Sequence, residues 1–144
     1  MAHLMPLQQP IQTYGGSMGI ILNVGQKVGH PRRGAVNNFN DVQAVQALID
    51  LYLAFKPSPQ LMLPSVTGAF DAITGFWIFE TQIFLRKKNP SQTIDGIVSP
   101  IRNGMVSYGA GEWTIVELNA GASSFAFDSW NSLCMQYANF PLGA

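Results

Sequence analysis

Two long runs of apolar residues at helical spacing dominate the chain, near residues 40–56 and 71–88. In the first, Val42, Val45, Leu48, Ile49, Tyr52 and Leu53 recur three and four apart, the stripe that an α-helix buries. Asn40 is placed to N-cap it, Gln43 completes a capping-box pattern, and Pro57 stops it near Lys56. In the second run Asp71 is the expected N-cap, and Arg86, Lys87 and Lys88 oppose the negative end of the helix dipole. Ile73, Phe76, Trp77, Ile78, Phe79, Ile83, Phe84 and Leu85 occupy most of its circumference, which predicts a helix buried on several sides at the centre of the fold. Gly75 inside it costs about 1 kcal/mol against alanine and predicts close approach by another backbone.

The remaining pattern is shorter-ranged. Residues 1–16, with Pro6, Pro10 and Gly15-Gly16, read as an extended arm. Met18–Val24 reads as a strand, and Gly25–Asn38 as a loop carrying Lys27, Arg32 and Arg33. Asp95-Gly96 marks a turn, and Ser99-Pro100 opens a short third helix to about Tyr108. Glu112–Leu118, rich in β-branched and aromatic residues, reads as a strand able to pair with Met18–Val24. After a loose GASS segment, a last helix from about Asp128 to Asn139 places Trp130, Leu133, Cys134 and Tyr137 on one face. The expected fold is a single mainly α (α+β) domain. It comprises an arm (1–16), a strand and loop (17–38), a helical core (39–108), and a strand with a C-terminal helix (109–144).

Composition narrows the function classes. Eight Lys plus Arg balance eight Asp plus Glu, so the basic excess that drives counterion-release binding to nucleic acid is lacking. Only 11% of residues are charged against 47% hydrophobic, where a typical soluble domain carries about 25% charged residues. The surplus reads either as a large covered core or as a surface buried in a homo-oligomer or a complex with another protein. No run of about 18 apolar residues predicts a membrane span. No classical secretory signal is legible at the start, so a cytoplasmic location, or export to the periplasm or cell wall by another route, is expected.

Three segments in order resemble the small helical peptidoglycan-binding domain of bacterial and phage wall-acting proteins. Asp41, Val42, Val45, Gln46, Leu48 and Ile49 match its Asp-Val-x-x-Val-Gln-x-Leu-Leu helix. Gly68, Phe70, Thr74, Ile78 and Gln82 match its second turn and helix, and Asp95, Gly96, Ile97, Val98 and Pro100 match its closing turn. Asp71, Thr81, Ser99 and Arg102 depart from the pattern, standing where the family has glycine, phenylalanine, glycine and threonine, and the loop from Lys56 to Val66 is longer. The resemblance implies a three-helix core and non-catalytic binding of cell-wall peptidoglycan. A protein-interaction module of a bacterial secretion or phage apparatus on the same scaffold is the alternative, and a wall hydrolase comes third.

The residues themselves offer little for catalysis, and neither cofactor nor metal is expected. His3, His30 and Cys134 are far apart, with no HxxxH or HxH spacing for zinc. Cys134 on an apolar helical face reads as a small core hydrophobe. Glycan cleavage asks for two facing carboxylates; Asp71, Glu80, Asp95, Glu112 and Glu117 are the acids to consider. Glu80 in an apolar stretch could serve as a general acid if buried, or else lie on the wet strip of its helix. Sugar binding needs an aromatic face and a few amides or guanidinium groups, and Trp77, Gln82, Arg102, Asn103, Tyr108 and Trp113 are suitable types near the family-like turns. Gln46 and Gln82 also suit the satisfaction of backbone groups in those turns.

Overall fold

The computed structural model describes residues 1–53, 63–106 and 112–138. It is mainly α with one small sheet, in the order β1 (His3–Gln12), β2 (Ser17–Asn23), a 3-10 turn (Pro31–Arg33), α1 (Phe39–Leu53), α2 (Ala72–Lys88), α3 (Glu112–Phe125) and α4 (Phe127–Tyr137). The two strands form an antiparallel hairpin with His3 opposite Asn23 and Pro6 opposite Ile20, and a register shift between Pro6 and Ile11. The first sixteen residues are therefore not a free arm. Prolines are tolerated in β1 because an edge strand can spare donors, and the irregularity absorbs the rest.

Asp71 caps α2 as its position predicts, its carboxylate accepting from Thr74 N at 2.8 Å and Thr74 Oγ1 at 2.6 Å. α1 begins two residues earlier than an Asn40 cap would place it, at Phe39, so Asn40 lies inside its first turn. Val42, Val45, Leu48 and Ile49 are buried, as their stripe requires. Residues 54–62, which include Lys56, Pro57 and Pro59, lie outside the described residues, as does Tyr108.

The centre of the fold is α3, not α2. Residues 114–122 of α3 are all buried, and α3 packs on α1, α2, α4 and β2 together. This is the segment expected as a strand plus a loose connection. Its β-branched run Thr114, Ile115, Val116 reads the same way in a helix buried on every side, where no polar face supplies a period. Gly121 belongs to the packing: a Cβ there would stand 2.0 Å from the Tyr52 ring. α2 keeps one face in solvent, with Phe76, Phe79 and Ile83 exposed. Gly75 faces the Phe70 ring, 3.0 Å from an added Cβ, rather than another backbone.

No helix runs from Pro100 through Val106. Asn23 holds Ile101 by both backbone groups, donating to its carbonyl at 2.8 Å and accepting its N–H at 3.0 Å. Asn103 and Gly104 then take left-handed backbone angles, φ 58° and 70°, and Arg102 bridges Met105. Two consecutive left-handed residues cannot continue a right-handed helix.

Candidate binding site

Two buried glutamines organise the helical core in the same way. From α1, Gln46 accepts the N–H groups of Thr67 and Gly68 at 2.9 and 3.0 Å and donates to Ala69 O at 3.0 Å and Thr74 Oγ1 at 3.1 Å. From α2, Gln82 accepts Gly96 N–H at 2.8 Å and donates to Ile97 O at 3.0 Å, Asp95 Oδ1 at 3.1 Å and Thr114 Oγ1 at 3.1 Å. Within each turn the first side chain accepts from the residue two further on: Thr67 Oγ1 from Ala69 N, and Asp95 Oδ1 from Ile97 N. Both central glycines have positive φ, 81° and 72°, the conformation that favours a residue without Cβ. A primary amide has two donors and a two-lone-pair acceptor, so one side chain can satisfy a whole turn. Thr114 on α3 thus plays the part that Thr74 plays on α2, with the segment 99–111 intervening in the second copy only.

The second turn carries a groove of about 530 Å³ on the outer face of α2. One wall is Phe76 and Phe79, 51% and 40% exposed; the other is the loop bearing His30, Arg32 and Arg33. That loop is stapled in place. Val28 and Val98 exchange backbone hydrogen bonds at 3.0 and 2.8 Å, and Gly29 sits so close to the turn that a Cβ would lie 2.5 Å from Gly96 O. Asn37, at φ 56°, closes the loop by accepting from Gly29 N and donating to Gly29 O. His30 Nδ1 caps the 3-10 turn by accepting Arg32 N–H at 3.1 Å, and Gly34 ends it in the left-handed region. Both arginines are exposed, and neither forms an ion pair among the described residues. Asp95 is the one carboxylate at the groove, with Oδ1 committed to Gln82 and Ile97 N. The groove therefore offers exposed cations on a fixed loop beside an apolar aromatic wall, a combination that suits an anionic group attached to an apolar body.

The residues named from sequence do not converge. Trp77 is only 9% exposed, edge-to-face with Phe76, and lines a different cleft of about 210 Å³ with Tyr52, Thr81 and Lys87. Gln82 is fully buried and consumed by its turn. Arg102 and Asn103 are exposed on the connection after the second turn, where Asn103 O accepts Gln8 Nε2 at 2.8 Å. Trp113 is half-buried in the first turn of α3, beside β1. Glu80 is exposed on its cleft wall, on the wet strip of its helix. What sequence reasoning missed is the wall of Phe76 and Phe79. Their spacing with Ile83 marks a second apolar line on α2, opposite the buried line of Ile78, Gln82 and Leu85.

Glu117, buried in α3, accepts from Tyr52 Oη at 3.1 Å and from Tyr14 Oη at the hairpin tip. Lys88 Nζ donates to Tyr14 Oη at 2.9 Å and lies over the Tyr14 and Phe84 rings. Burial, followed by the Glu117 carboxylate, raises both phenols above their ordinary range. Cys134 is buried, and desolvation pushes its thiol up to about 12, so it packs as an apolar group. Among the described residues no three His, Cys, Asp or Glu side chains gather as metal donors, and no helix is long and apolar enough to cross a membrane. No family model, curated protein or solved structure matches the chain.

Proposed function

We propose that the chain attaches without catalysis to bacterial peptidoglycan, taking a stem-peptide segment and its sugar in the groove between Phe76, Phe79 and the Arg32-Arg33 loop. The observation that carries this reading is the pair of exposed arginines stapled opposite exposed phenyl rings. Wall peptides carry free carboxylates on short apolar side chains, and the sugar offers a C–H face. Guanidinium groups suit the first and aromatic rings the second. The glutamine-clamped turns support the same reading, because Gln46, Gly68, Gln82 and Gly96, which build them, are among the residues that carry the sequence resemblance.

Sedimentation with washed sacculi, with supernatants assayed for released fragments, tests it. Saturable pelleting without release is expected. Arg32→Ala/Arg33→Ala and Phe76→Ala/Phe79→Ala should each cut retention at least about fivefold while leaving circular dichroism unchanged, since all four side chains are exposed or face solvent. Absence of pelleting by the unaltered protein would sink the proposal. A protein-interaction module of a secretion or phage apparatus is the second reading. It is favoured by the line of Phe76, Phe79 and Ile83 along α2, an apolar strip that a partner helix could cover.

A further inference from the structure

A second groove, of about 500 Å³, lies between β1 and the segment that separates the second turn from α3. Apart from Trp113 at the start of α3, it is built on elements added to the repeated helix-and-turn unit. Gln8, Gln9 and Gln12 line it with Ile11, Met105 and Trp113, and no charged residue contributes to its lining among the described residues. Its floor is fixed by backbone contact: Gln8 N donates to Gly104 O at 3.0 Å, and Gln8 Nε2 to Asn103 O at 2.8 Å. Gly104, at φ 70°, lets the two segments touch, since a Cβ would stand 2.4 Å from Pro6 O. The amides of Gln9 and Gln12 are exposed and make no hydrogen bond among the described residues.

We infer that this groove binds a neutral oligosaccharide. A pyranose ring presents an apolar C–H face and a rim of hydroxyls, each of them donor and acceptor. Primary amides both donate and accept, so they match adjacent hydroxyls in either orientation. An indole with aliphatic neighbours matches the C–H face. A groove of this size lies within the range of small-ligand sites, and a lining without charge among the described residues gives no advantage to a phosphate or carboxylate. The site is separate from the arginine groove and does not depend on the wall reading.

The test is titration of the whole protein with the N-acetylglucosamine tetramer and with cellotetraose, following the indole N–H of Trp113 and the side-chain amides of Gln9 and Gln12 by nitrogen-proton correlation NMR. Saturable shifts of these signals are expected with at least one saccharide. Gln9→Ala/Gln12→Ala should weaken binding about tenfold or more, and Arg32→Ala/Arg33→Ala should leave it unchanged even where retention on sacculi is lost. Trp113→Phe, which keeps an aromatic face, should retain part of the affinity. No saturable shift with either saccharide up to about 10 mM would overturn the inference, because affinity weaker than this is under about 3 kcal/mol. Shifts confined to other residues, or undiminished affinity in the glutamine variant, would overturn it equally.

Discussion

Replacing Gln82 with methionine removes one amide and little volume, so it isolates what the clamp contributes. The side chain is fully buried, and a near-isosteric apolar replacement keeps the cavity term small. It orphans Gly96 N–H and Ile97 C=O, both held in buried hydrogen bonds, while the Thr114 hydroxyl can rotate to another acceptor. Each orphaned backbone group costs about 1–3 kcal/mol, giving a loss of about 2–6 kcal/mol out of the 5–15 kcal/mol typical of a domain. With a urea slope of about 2 kcal/mol per molar, the unfolding midpoint should fall by about 1–3 M. Gln82→Glu should be no better, because a carboxylate accepts from Gly96 but cannot donate to Ile97 and is buried besides. Thr114→Val separates the helix contact from the turn contacts: in combination with Gln82→Met its cost should largely vanish. Urea titrations read by tryptophan fluorescence and by circular dichroism give the numbers. A Gln82→Met midpoint within about 0.3 M of the unaltered protein would refute the clamp as a source of stability.

Other outcomes follow from the same geometry. Trp77→Ala should cost about 3–5 kcal/mol because Trp77 is buried, whereas Phe76→Ala next to it should stay within about 1 kcal/mol; thermal melts compare the two, and equal losses would contradict the orientation of α2. Gly121→Ala drives a methyl group into the Tyr52 ring and should cost about 1–3 kcal/mol, seen as a fall in melting temperature; a neutral result would mean that α1 and α3 are not in contact there. The phenols of Tyr14 and Tyr52 are raised from 10.0 in the folded protein by burial and then by Glu117. Above about pH 10 the unfolded chain releases protons that the folded chain keeps, so this stability is whole below pH 10 and falls as pH rises beyond it. Tyr52→Phe should flatten that fall in alkaline urea titrations, and an unchanged slope would argue against a buried phenol.

What the sequence made legible was whatever an amphipathic period or a turn residue marks. α1, α2 and α4 stand near their expected places, and the glutamines meet the turns they were expected to satisfy. α3 was hidden because burial on all sides removes the periodicity: Thr114, Ile115 and Val116 are all in the interior, and their β-branched character suits a strand as well. Gly121 looked like loop composition, yet its need is steric and comes from Tyr52, far away in sequence. β2 stands where Met18–Val24 reads as a strand, but its partner β1 was illegible, since Pro6 and Pro10 argue locally against a strand and what holds the hairpin, Asn23 reaching across to Ile101 among its ties, lies far away in sequence. The arginine groove failed for a related reason. Arg32 and Arg33 sit in a loop whose position is set by the Val28–Val98 bridge, a contact no local signal announces.

That hairpin is tied to the helices at both ends, and this determines how the additions work. At its base, Asn119 of α3 accepts from Leu22 N and donates to Leu22 O, each at 2.9 Å, occupying the free edge of β2 as a neighbouring strand would. The same Asn119 Oδ1 accepts from Trp130 Nε1 at 3.0 Å, which brings α4 onto the contact. At its tip, Tyr14 stacks on Phe125 with centroids 5.3 Å apart, donates its hydroxyl to Glu117 and donates its backbone N–H to Ser124 Oγ at 3.1 Å. Removing the hairpin would therefore leave Asn119 without its strand partner and Glu117 buried with one phenol instead of two. Unpaired buried polar groups are costly, so the helices after the second turn depend on the segment before the first. The repeated unit supplies the clamps, but the central helix is completed only when the hairpin closes over it.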